Sequence, residues 1–168
     1  MKLSSKFIIA FVAPVIAASS GVSAQVPDDL SCAHFSDDPN DRSGPPLHFQ
    51  AEMWDGPQRA PTSSDATGMA TFTLERDTLR LTWEVTFEGL TSTPSGLHVH
   101  GPTPAEGSAP AVFALAGENF TSPVTGERVI SIGEVSLFVQ NLAYVNLHTS
   151  RYPEGEIRGS IKKQRPQC

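Results

Sequence analysis

The sequence predicts an all-β protein, an antiparallel β-sandwich or Greek-key-like barrel. Several short stretches alternate apolar and polar residues with a period of two, as strands do when one face is packed and the other wet. Turns containing Gly and Pro separate these stretches at close spacing. Helical periodicity is almost absent along the 168 residues.

Taken in order, residues 1–24 read as a secretory signal peptide. Lys2 and Lys6 give a positive start, Phe7 to Ala18 an apolar run, and Val22-Ser23-Ala24 the small residues of a cleavage site. The mature chain is expected to begin near Gln25, secreted or periplasmic, with no transmembrane segment. Residues 25–46 carry Asp28, Asp29, Asp37, Asp38 and Asp41 among prolines and serines. Such a segment buries too little surface to offset its ordering entropy, so an extended or loosely held leader is expected.

The remaining residues, 47–168, form one domain. Leu47, Phe49, Ala51 and Met53 alternate with polar residues and predict the first strand. Gly68 to Leu74 predicts the second, with Phe72 and Leu74 inward. From Leu79 to Phe87 every odd position is apolar and every even one polar, a half-buried strand of an antiparallel sheet. Asp77-Thr78 turns between these two strands. Gly89 to Gly96 reads as a loop, Leu97 to His100 as a strand, and Ala111 to Leu115 as a short buried strand. Residues 116–128 carry no clear pattern. Val129 to Leu142 predicts a strand and then a turn of helix around Ser136 to Leu142, with an extended Val135 to Val139 as the alternative. Tyr144 to Thr149 and Glu156 to Ile161, bent about Pro153 and Gly155, predict a closing hairpin.

Charge and cysteines narrow the function. The formal charge is −6, and loss of residues 1–24 removes two lysines and no acid, leaving −8. That balance argues against a grip on phosphate backbones, so nucleic acid is not an expected partner. Cys32 and Cys168 flank the mature chain. In an exported protein they are expected to pair, closing a loop worth about 5 kcal/mol in the chain-entropy view.

Chemistry concentrates in two stretches. Strand parity puts His98 and His100 on one face of Leu97-His98-Val99-His100, and Asn146 and His148 on the non-core face of Tyr144 to Thr149. Should these strands adjoin, the three imidazoles could form a transition-metal site. Neutral imidazole suits copper and zinc. Asn146, Glu156 and Arg158 share the outer surface and could orient the rings. The plainer alternative is a wet face of ordinary polar residues, with Glu156 and Arg158 serving cross-strand pairing. His48 and His34 have no supporting motif. There is no Gly-x-Ser-x-Gly elbow, phosphate-cradling Gly-Lys loop or His-Glu-x-x-His helix, and no catalytic residue is assigned.

Leu97-His98-Val99-His100-Gly101-Pro102, the loop into Ala111-Val112-Phe113-Ala114-Leu115, Tyr144 to Thr149, and Tyr152-Pro153-Glu154-Gly155-Glu156-Ile157-Arg158-Gly159 together resemble the CHRD domain. This module was first described in chordin and is also found alone in secreted bacterial proteins. The resemblance spans about Leu47 to Ile161 and implies an extracellular or periplasmic β-sandwich without a settled activity. Gly96 to His100 alone also resembles the strand of copper/zinc superoxide dismutases that supplies two copper ligands. That family's further histidine spacings and zinc loop are missing here. The expected function is therefore an exported binding module holding copper, or less readily zinc, at His98, His100 and His148. The alternative is a metal-free module for an extracellular or cell-envelope protein. A copper-dependent redox enzyme of dismutase type ranks third.

Overall fold

A computed structural model describes residues 36–58, 62–103 and 108–165. The signal-peptide reading of residues 1–24, His34, and the Cys32–Cys168 pairing lie outside them. The strands are β1 (Leu47–Met53), β2 (Thr67–Glu75), β3 (Arg80–Glu88), β4 (Pro94–His100), β5 (Ala111–Ala116), β6 (Val124–Val129), β7 (Tyr144–Thr149), β8 (Ile157–Ser160) and β9 (Lys162–Lys163). One helix, α1 (Ile132–Val139), sits between β6 and β7.

Two antiparallel sheets face each other, one ordered β6-β3-β2-β1-β9 and the other β5-β4-β7-β8. The sandwich expectation therefore holds. Among the described residues the sheets do not close, so the barrel alternative does not. Period-two alternation drives the packing. Leu47, Phe49, Ala51 and Met53 of β1 are all buried, as are Leu81, Trp83 and Val85 of β3. Leu97, Val99, Val145, Leu147 and Ile157 answer them from the second sheet.

Several boundaries differ from the sequence reading, each for a local reason. Pro94 to Gly96, expected in a loop, already belongs to β4. Residues 124–129 form β6, which pairs along β3. The helix starts at Ile132 rather than near Ser136. Ser131 caps it by accepting from the Glu134 amide, while the Glu134 carboxylate accepts from the Ser131 amide. The order Ser-x-x-Glu carries this capping box in the sequence. The last predicted strand, Glu156 to Ile161, is shortened to β8, and β9 follows it. β8 pairs with β7, the buried Ile161 marks the crossing, and β9 joins β1 in the opposite sheet.

The end of the leader is also better held than its composition implied. Buried Arg76 donates to the Asp41 carboxylate at 2.9 Å and to the Ser36 carbonyl at 3.3 Å, and Lys163 donates to the same carbonyl. Hydrogen bonds from the Ser43 side chain and amide, helped by Arg76, hold the Asp41 carboxyl at about 2 despite some desolvation. Charged partners replace the apolar surface this stretch lacks.

Phe138 of α1 plugs the end of the core. Its ring meets Phe49 and Phe72 edge-to-face, at centroid distances of 5.2 and 5.4 Å. Phe138→Ala is expected to lower stability by about 3–5 kcal/mol, because the rigid sheets around it cannot collapse into the gap. A urea denaturation curve checks this, and a loss below about 1 kcal/mol would mean that α1 is not part of the cooperative core.

Candidate metal centre

β4 and β7 lie side by side, with His98 opposite Asn146, His100 opposite Tyr144, and Gly96 opposite His148. Residues 50 apart in the chain thus meet on one face of one sheet. The three rings converge, with centroids 5.0 Å apart for His98–His148, 5.7 Å for His100–His148 and 5.8 Å for His98–His100. One ring nitrogen from each residue lies within 4.8 Å of those from the other two.

A glycine makes this convergence possible. A β-carbon added at Gly96 would stand 2.7 Å from Cε1 of His98. The His98 ring occupies the space that the missing side chain leaves, on the same strand face and beside His148.

Backbone carbonyls orient the other two rings. Nδ1 of His100 lies 2.9 Å from the Ala109 carbonyl, and Nδ1 of His148 lies 2.8 Å from the Pro153 carbonyl. A carbonyl can only accept, so each Nδ1 carries the hydrogen and each neutral ring keeps its lone pair on Nε2. Both Nε2 atoms are buried and have no hydrogen-bond partner among the described residues. Basic nitrogens held this way are set up to ligate, and a carbonyl behind the ring is the usual support of a metal-bound histidine.

The electrostatics agree. Burial is the main cause that lowers the His98 pKa below its ordinary 6.5, with further repulsion from His148 and His100. Burial also lowers that of His100; the hydrogen bond to Ala109 opposes it, and the charges of His148 and Arg158 reinforce it. Both rings are therefore neutral at pH 7, the form that binds a metal ion.

Around the rings the face is partly covered, with His98 and His148 half-buried. His100 is 8 % exposed, Asn146 2 % and Tyr144 0 %. Tyr144 stacks on His100 at 5.0 Å, and its hydroxyl accepts from the Ala109 amide at 2.9 Å. The Arg158 guanidinium lies 4.1 Å from the centre of the same tyrosine ring. Asn146 donates to the Glu154 carbonyl at 3.0 Å and accepts from Gln58 at 2.7 Å, tying two loops over the sheet. Tyr144 was missed in the sequence although it shares the parity of Asn146 and His148. The supporting carbonyls of Ala109 and Pro153 leave no signal in a sequence.

Glu156 sits elsewhere. Its carboxylate accepts from Ser64, Thr149 and both the amide and hydroxyl of Thr91. Thr149 points to the opposite face from its neighbour His148, so these bonds draw Glu156 away from the rings. β8 starts only at Ile157, after Gly155 with φ +122°. Strand parity therefore does not extend back to Glu156. His48 lies on β1 in the other sheet, where it bonds Thr73.

Three imidazole nitrogens and no carboxylate, among the described residues, compose this cluster. With metal–nitrogen bonds of about 2.0 Å the nitrogens must draw to about 3.3 Å apart, a modest side-chain adjustment. No helix among the described residues is long and apolar enough to cross a membrane. No curated protein matches the chain. The family model of the CHRD domain matches residues 49–161, which takes in β2 to β8 and the three clustered histidines, and the chain therefore belongs to the CHRD family.

Proposed function

We propose that this protein is an exported binding module that takes up a transition-metal ion, copper foremost, at His98, His100 and His148. One observation carries the reading: two buried Nε2 atoms, fixed as acceptors by carbonyls behind their rings, have no partner among the described residues. A buried acceptor left unpaired costs roughly 1–3 kcal/mol, and a bound cation would satisfy both at once. CHRD membership supports a binding module, and CHRD domains are typically extracellular.

Titration with copper and zinc tests the proposal, with retained metal measured after gel filtration. One ion per chain is expected. His100→Ala and His148→Ala should each weaken binding by at least about 100-fold, more than removal of a supporting group does. Binding indifferent to both substitutions would reject the site and favour the metal-free interaction module. Superoxide and peroxide assays on loaded protein address the redox alternative.

Export carries its own test. The mass of the protein isolated from outside the cytoplasm should correspond to a start near Gln25. It should rise by about 2 Da on reduction if Cys32 and Cys168 are joined, as the oxidising compartment favours. Two free thiols in natively exported protein would reject the disulfide.

A further inference from the structure

We propose that the three-histidine centre holds copper as Cu(I) in preference to Cu(II) or Zn(II). The inference rests on the metal reading above and concerns which ion the site selects. Thiolate and thioether ligands ordinarily select Cu(I), and none is present in the cluster. Here the selection comes from charge.

The cluster offers three imidazoles, with no carboxylate among the described residues. An ion bound there keeps its full charge. Two of the nitrogens that face it, Nε2 of His100 and of His148, are buried, and the cost of placing charge in a poorly solvated site grows with the square of that charge. A monovalent ion meets a fraction of the cost of a divalent one.

A fixed positive charge adds to this. Arg158 lies 4.1 Å from the Tyr144 ring, and that ring stacks on His100 at 5.0 Å. The guanidinium is thus no farther from the His100 ring than those two distances combined. Every unit of charge on the bound ion is repelled by it, so the second charge of Cu(II) or Zn(II) is opposed where Cu(I) has none.

Coordination number points the same way. Three nitrogens complete a trigonal Cu(I) site. Zn(II) in tetrahedral geometry and Cu(II) in tetragonal geometry need further ligands, water or an anion, which the three histidines do not supply.

The test measures affinities on the full chain as its host processes it. Cu(I) is titrated anaerobically against bicinchoninate, and Cu(II) and Zn(II) against nitrilotriacetate. Cu(I) is expected to bind at least about tenfold tighter than either divalent ion. Arg158→Gln should shrink the Cu(I)/Cu(II) affinity ratio by about tenfold, the effect of one unit charge at this range. Arg158→Lys, which keeps the charge but not the planar stacking, should preserve most of the ratio. A thermal melt of each variant separates charge effects from loss of fold. Tighter binding of Cu(II) or Zn(II), or a ratio unchanged in a folded Arg158→Gln protein, would overturn this proposal and leave the metal site standing. Binding of no ion would overturn both.

Discussion

Glu156→Ala is expected to lower stability by about 3–5 kcal/mol, the range for removing one member of a buried, hydrogen-bonded charge network. The residue is fully buried. Its two oxygens accept from Ser64 before β2, from the Thr91 amide and hydroxyl in the loop before β4, and from Thr149 at the end of β7. Three chain segments distant in sequence are joined through one carboxylate. Alanine would leave all four donors without their acceptor, those of Ser64 and Thr149 in a place water does not reach.

The same carboxylate predicts a pH dependence. Burial by itself raises its pKa, but the bonds from Ser64, Thr149 and Thr91 together outweigh burial, and the net pKa lies below the ordinary 4.5. As pH falls, the unfolded chain takes up the proton before the folded one does. The contribution of Glu156 is therefore complete above about pH 4.5 and is lost as pH falls through the lowered folded value. Glu156→Gln should remove that acid dependence, and at neutral pH it should cost about 1–3 kcal/mol because an amide NH₂ replaces one acceptor. Urea midpoints at pH 7 and at successive steps below pH 5 measure both effects. A wild-type curve with the same acid limb as Glu156→Gln would show that Glu156 is not held as a carboxylate.

Gly96→Ala is expected to weaken metal binding by about 10- to 100-fold, the range for disturbing a group that orients a ligand. The added β-carbon falls 2.7 Å from the His98 ring, so that ring must swing away. His100 and His148 keep their carbonyl supports. The far end of one side chain is all that has to move, so the urea midpoint should change little while the affinity drops. An equal fall in both quantities would mean that Gly96 is needed by the strand rather than by the site. Larger substitutions at Gly96 should weaken binding further.

Much of the fold could be read directly. The odd-numbered apolar residues from Leu79 to Phe87 placed a strand, and its inward face is where Leu81, Trp83 and Val85 are buried. Leu79 itself is the exception, taking φ +55° in the turn and leaving the strand to begin at Arg80. The candidate site was half legible. His98 and His100 had to share a face, and His148 had to point away from the core. Asn146 and Arg158 do lie among the groups around the rings. Glu156, assigned with them by the same parity, does not, because parity holds only inside a strand.

The sequence by itself determined the period-two strands, the residues each turns inward, and the pairing of two imidazoles on one face. The pleat of the backbone enforces these, and it acts between neighbours in the chain. The tertiary structure alone decided that β4 lies against β7 in the register that brings His148 to the other two rings. It also decided that loop carbonyls fix their tautomers and that Arg158 approaches through Tyr144. Those contacts join residues far apart in sequence. Their formation depends on how two sheets pack and where loops close over them, and no local pattern of side chains encodes that.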